Sequence, residues 1–275
     1  SSSVNTVDYI TILTLGNATD FGDLITSTYD LGSCSSETRA VYGAGNNGNN
    51  SNVIGYFTIS TPSNATDFGD LTQARSESTP ASTDRSRAIW GGGYIGGGTN
   101  VNTMDYITIA TPSNATDFGD LAQARRALGA SGNSGTYGVW AGGHTSTSVT
   151  TTDYVTIATT GNATSFGGLT SGRPHLNGLS NTVRAVFCGG GSYSNIMDYI
   201  TLGTWGSSSD FGDLSGTTDS VSCCSSDTRG LIGGGSVSGT NTTAIQYITI
   251  ATTGNTTTFG DLTQARNQGA GASGV

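Results

Sequence analysis

Seventeen residues, Asp105 to Leu121 (DYITIATPSNATDFGDL), return in altered form along the whole chain, and that return limits the available folds more than any other property of the sequence. The other copies begin at Asp8, Gly55, Asp153, Asp198 and Gln246, so with the one at Asp105 there are six, spaced 45–50 residues apart. A fixed period of that size marks an array of supersecondary units. We therefore expect one domain spanning residues 1–275, built as a single closed or stacked array.

Composition narrows what such an array can be. Glycine is 43 of 275 residues and charged residues are 11%, yet the apolar and aromatic residues recur in register, which argues for ordered β structure over low complexity. The formal charge is −9 and all ten basic residues are arginine. A lysine-free acidic surface is a poor match for phosphate backbones, so no nucleic-acid partner is expected. No apolar run approaches the length of a membrane span, and Ser1–Asn5 has neither the basic start nor the apolar stretch of a signal peptide. No membrane insertion is expected, and any targeting segment is read as removed or never present. No cofactor is expected.

One repeat, Ala124 to Leu169, parses into four short strands: ARRALGAS, YGVWAGG, DYVTIAT and a fourth from Phe166 to Leu169. The first strand is expected six times, starting near 27, 75, 125, 173, 218 and 266. The second appears five times, as RAVYGAG, RAIWGGG, YGVWAGG, RAVFCGG and RGLIGGG. Nothing between the strands has helical period, so no α-helix is expected. A four-stranded unit this short cannot bury both faces alone, and radial stacking of six gives an all-β, six-bladed propeller with small residues such as ALGASG and QGAGASG near the axis.

These residues resemble the kelch repeat. The glycine doublet that ends its second strand is Gly91-Gly92 or Gly142-Gly143, its third-strand tyrosine is Tyr106 or Tyr154, and its final arginine is Arg75, Arg125, Arg173 or Arg266. Phe68, Phe118 or Phe166 stands where kelch has tryptophan, and the final arginine is missing after Leu24 and Leu214. In repeat type and in its lysine-poor, Asn/Thr/Gly-rich composition the chain also resembles tail-fibre and other structural proteins of marine bacteriophages. The kelch resemblance implies a propeller, and the strand count, six first strands against five second strands, implies a last blade shared between the N and C termini. That blade takes its first strand from the C terminus and its third and fourth from the N terminus, and its second strand is missing. Either the sequence is a fragment of a longer chain, or Ser1–Asn5 and a partner strand fill the gap.

Several residue sets invite chemistry. The pairs Asp20/Asp23, Asp67/Asp70 and Asp117/Asp120 read as turn formers or as calcium ligands, but lack the alternating carboxylates of a calcium loop, and SFGG breaks the pattern at 165–168. We expect no metal. Asn17, Asn64, Asn114 and Asn162, each in N-A-T, read first as turn residues. Cys34, Cys188, Cys223 and Cys224 have no paired metal spacing and read as small apolar residues. Arg39, Arg87, Arg184 and Arg229, with the Arg75 set, form either an anion-binding ring or ties between blades. His144 and His175 have no accompanying nucleophile motif, so no enzyme is expected and no catalytic residue is named.

What varies on the fixed frame is the loop between strands two and three: NNGNNSNVI, YIGGGTNVNTM, HTSTSVTT, SYSNIM and SVSGTNTTAI. Loops on a rigid frame are where binding usually lives. Asn46, Asn49, Tyr94, His144, Tyr193, Asn195 and Asn241 are the candidate ligand-binding residues. The expected function is a non-catalytic binding or structural module of a virion, contacting host-surface glycans, envelope proteins or other virion proteins, with a homo-oligomer compatible. The alternative is an extracellular or cell-surface adhesin of a bacterium, and an enzyme is the distant third.

Overall fold

The computed structural model describes residues 4–82, 85–131, 135–191 and 193–274; Ser1–Ser3 and Ser192, which belong to segments discussed above, lie outside them. Among the described residues the chain is all-β with no helix, and its strands form antiparallel sheets in sequence order. The first sheet pairs β1 (Thr6–Tyr9) with β2 (Thr19–Asp23). The second contains β3 (Gly32–Ser35), β4 (Arg39–Gly43), β5 (Ser51–Thr58) and β6 (Thr66–Arg75). The third contains β7 (Thr79–Ser82), β8 (Arg87–Tyr94), β9 (Asn100–Thr108) and β10 (Thr116–Asp120). The fourth contains β11 (Gly129–Ala130), β12 (Tyr137–Ala141), β13 (Thr151–Thr156) and β14 (Thr164–Gly168). The fifth contains β15 (Asn177–Ser180), β16 (Arg184–Cys188), β17 (Ser194–Thr201) and β18 (Ser209–Asp219). The sixth contains β19 (Ser222–Ser225), β20 (Arg229–Gly233), β22 (Thr240–Thr249) and β23 (Thr257–Arg266). The short β21 (Ser236–Val237) pairs with both β18 and β22, joining the last two into one nine-stranded sheet.

The first strands begin later than the sequence suggests. Residues near 75 and 266 complete β6 and β23 instead, and the first strands start at Gly32, Thr79, Gly129, Asn177 and Ser222. The reason is a left-handed corner between the two. Asp30, Glu77, Ala127, His175, Ser220 and Gln268 all have φ between 53 and 57° and turn the chain from the outer strand to the inner one.

Each sheet is too thin to shield both faces, and the core lies between sheets. One cluster packs Val41, Ile54 and Phe68 of the second sheet against Trp90 and Ile107 of the third. Others repeat this between the third and fourth, fourth and fifth, and fifth and sixth. The last two close on the N terminus: Leu231, Ile245 and Phe259 pack against Ile10, Ile12 and Ala18, and Phe21 with Val7 packs against Tyr42 and Phe57. Phe68, Phe118 and Phe211 are 2–3% exposed and serve as the wedge of their interfaces. Burying a side chain of that size contributes about 2–3 kcal/mol.

Two sets of backbone bonds run all the way round. In the outer set the N–H groups of Ala65, Ala115, Ala163, Ser208, Thr256 and Ala18 donate to the carbonyls of Asp23, Asp70, Asp120, Gly168, Asp213 and Asp261 at 2.7–2.9 Å. The inner set links the left-handed corners. Asp30 donates to Gln268, Gln268 to Ser220, Ser220 to His175, His175 to Ala127, Ala127 to Glu77 and Glu77 back to Asp30, at 2.8–3.2 Å. Six donors and six acceptors thus form a closed cycle, and residues 267–274 hold the place of an inner strand without being assigned as one.

Candidate functional site

The repeated arginines are ties, and their geometry removes the anion-binding reading. Arg75 meets Asp105 at 2.8 Å, Arg125 meets Asp153 at 2.6 Å, Arg173 meets Asp198 at 2.9 Å and Arg266 meets Asp8 at 2.7 Å, each pair bridging consecutive units. The first three pairs are at most 3% exposed. Where the arginine is missing its partner is missing too: Thr28 goes with Gly55, and Thr218 with Gln246. Arg39, Arg87, Arg184 and Arg229 donate instead to the carbonyls of Ile109, Ile157, Ile250 and Ile12 in the next unit. Their guanidinium groups lie 4.3–5.0 Å above Tyr56, Tyr106, Tyr199 and Tyr247. The fourth sheet has Tyr137 in that position, and Trp205 covers Tyr154 in place of the missing arginine, stacked at 3.7 Å.

The Asn of N-A-T, and Asn255 of N-T-T, also tie units. Asn64, Asn114, Asn162, Asn255 and Asn17 accept the N–H of Asp23, Asp70, Asp120, Asp213 and Asp261 at 2.9–3.1 Å. Burial pushes the Cys224 thiol up to about 12 and raises that of Cys223, which also bonds Cys188, so both stay protonated.

With these sets assigned to the frame, chemical variety is left around one cavity. The six corner residues share one backbone geometry and carry six different side chains: Asp30, Glu77, Ala127, His175, Ser220 and Gln268. They rim a cavity of about 90 Å³ together with the inner strands. A non-glycine residue in the left-handed region costs about 1–2 kcal/mol, and six held there by one hydrogen-bonded cycle show how strongly the ring sets the backbone. Glu77 pairs with Arg126 at 3.5 Å, and Arg126 lies 4.6 Å above the ring of Tyr94. Burial first, and the charge of Glu77 second, raise the Asp30 carboxyl to about 6, against smaller lowering effects from His175, a Gln268 hydrogen bond and Arg126.

The expected binding residues divide into two groups. Asn46, Tyr94 and His144 form β-bridges to Tyr29, Ser76 and Arg126, the residues immediately before the corners Asp30, Glu77 and Ala127. Side chains link these loops: Asn50 donates to the Tyr94 carbonyl at 2.9 Å, and Asn100 to the His144 carbonyl at 3.1 Å. The Nδ1 of His144 is buried with no hydrogen-bond partner. Asn49 is exposed at its loop tip. Tyr193, 39% exposed, lies in the loop between β16 and β17, Asn195 lies within β17 and Asn241 within β22, and none of the three bridges to a corner residue. The corner residues and Arg126 escaped the sequence reading. Their signal was positional: each corner lies two residues after the arginine position, and side chains that differ in every copy read as drift.

The raised Asp30 carboxyl makes stability depend on pH. Its folded value of about 6 exceeds the usual value of 3.8, so the folded state holds the proton more tightly. The stability this confers is complete below pH 4 and is lost as pH rises through 6. The full shift corresponds to about 3 kcal/mol, and solvent screening at the cavity reduces the expected loss to about 1–2 kcal/mol. Asp30→Asn should abolish this decline and leave the protein more stable than the parent at pH 8. Urea denaturation at pH 4, 6 and 8 checks both statements. No protein-family model matches the chain, and no curated protein matches it.

Proposed function

We propose that the six units are blades of a kelch-like propeller whose last blade combines the N-terminal sheet with residues 267–274, and that the molecule is a non-catalytic binding module. One observation carries this reading: the variable loops of three units bridge to residues beside the corners, and the six chemically distinct corner residues line one cavity. A surface with constant backbone and varied side chains is suited to recognition. Two carboxylates, an imidazole, an amide and the loop aromatics suit a polar, hydroxyl-rich ligand such as a host-surface glycan, since aromatic faces stack on sugar rings while amides and carboxylates accept hydroxyls. The lysine-free, Asn/Thr/Gly-rich composition, which resembles phage fibre repeats, supports placement on a virion with envelope proteins or other virion proteins as neighbours.

A glycan array tests the binding role. Saturable binding that falls at least tenfold in Tyr94→Ala, with a normal melting curve, is the expected result. An array without any ligand would overturn the glycan reading and leave a purely architectural role.

A further inference from the structure

The geometry points to a disulfide-forming site between the fifth and sixth sheets: Cys188 and Cys223 join in one covalent tie when the chain folds in contact with a disulfide oxidant. The inference rests on the packing of these two sheets alone, apart from the binding role. Both side chains lie in the cluster between the sheets, 0% and 4% exposed. The Cys223 thiol is hydrogen-bonded to Cys188, so the two sulfurs are already neighbours. Cys188 ends β16 and faces Asn177 of β15. The Asn177 amide donates across the interface to the Val221 carbonyl at 3.1 Å, and the Ser225 hydroxyl donates back to the Ser180 carbonyl at 2.7 Å. These bonds flank Cys223 on both sides and hold it against the sheet that carries Cys188. Cys224, the next residue of β19, packs instead with Leu231 and Phe259 in another cluster and so faces away.

Side-chain size explains why the two meet here. Gly43 and Gly91 hold the place of Cys188 in the second and third sheets, and each lies under a tryptophan of the following sheet. A Cβ at Gly43 would be 3.3 Å from the Trp90 ring, and one at Gly91 2.7 Å from that of Trp140. The sixth sheet has Ile232 where the third and fourth have Trp90 and Trp140. Cys223 faces Ile232 across the ladder as Pro80 faces Trp90 and Ala130 faces Trp140. The space that the smaller isoleucine leaves is filled by the two sulfurs. Cys34 lies in the cluster between the second and third sheets, which contains no second cysteine among the described residues.

The exchange balances with the oxidant alone. One cysteine thiolate attacks the oxidant's disulfide, forms a mixed disulfide and releases one of the oxidant's sulfurs; the other cysteine attacks that bond and releases the second. Two protein thiols are oxidised, one disulfide of the oxidant is reduced to two thiols, and the two thiol protons pass to them. Burial dictates the timing. In the folded protein the Cys223 thiol is sealed and held protonated, and the thiolate is the reacting form, so the tie is made during folding. It closes residues 188–223, with β17 and β18 between them, into a covalent loop and so restricts the unfolded chain.

The test compares the full chain exported to the bacterial periplasm, an oxidising compartment, with the same chain from a reducing cytoplasm. Refolding the cytoplasmic form in a mixture of oxidised and reduced glutathione gives the same readout by a second route. Thiols counted in denaturant should fall from the four of the sequence to two, with the intact mass lower by two hydrogens. Cleavage before aspartate should yield the segment carrying Cys188 linked to the one carrying Cys223. Tm should rise by roughly 5 °C over the reduced form. Cys188→Ala and Cys223→Ala, which copy Ala141 and Ala130 at the matching places, should each abolish the bond and the rise, whereas Cys224→Ala should keep both. Four free thiols in the oxidised preparations, or a bond that persists in Cys223→Ala, would overturn the assignment. A bond that forms and lowers Tm would overturn its role as a tie.

Discussion

Asp153→Ala is expected to destabilise the protein by about 3–5 kcal/mol, because it strands the Arg125 guanidinium at a site where both side chains are 0% exposed. The same removal made on both sides should cost far less. Arg125→Thr combined with Asp153→Gln copies the residues that hold these places as Thr218 and Gln246, where the Gln246 carbonyl oxygen accepts from Ser215 and Thr256. That double variant should recover at least half of the loss, since no uncompensated charge stays buried. Urea midpoints with unchanged m-values decide the matter. A double variant as unstable as Asp153→Ala would mean that the pair contributes by filling space and not by charge balance.

Gly119→Ala is the second large effect. Gly119 has φ +139°, and a Cβ there would lie 2.5 Å from the Gly161 carbonyl oxygen of the next unit. The neighbouring atom is backbone and is fixed by the bond from Gly161 N–H to the Phe118 carbonyl, so it cannot swing aside. A loss of about 3 kcal/mol or more is expected from backbone strain and a forced gap between the sheets. Gly206→Ala supplies the contrast, for its Cβ would meet nothing within 4 Å. Its cost should stay within about 1 kcal/mol, and comparable thermal shifts for the two variants would contradict the close-approach account.

Much of the frame was legible because it repeats. The glycine pair, the tyrosine, the phenylalanine and the arginine each answer one fixed demand, and the structure shows those demands. Gly142, for instance, has φ +64° and lies against the Arg173 carbonyl. The partners were harder to read, because the contacts join one unit to the next. Asp105 sits 30 positions from Arg75, and only their joint loss in the Thr28/Gly55 and Thr218/Gln246 units betrays the pairing. Strand limits failed at the corners, where Glu77, Ala127 and Gln268 adopt a left-handed backbone that their residue types do not favour. The same mismatch hid the residues around the cavity. Tertiary closure imposes the conformation there, so side chains are free to differ and leave no motif.

Closure of the ring by the two chain ends underlies every part of this account, and native-state hydrogen exchange tests it most directly. The Ala18 amide, bonded to Asp261, and the Gln268 amide, bonded to Ser220, should exchange as slowly as their counterparts Ala115 and Ala127 in the interior of the chain. Exchange at the rate of a frayed terminus, with Ala115 and Ala127 still protected, would contradict a closed cycle.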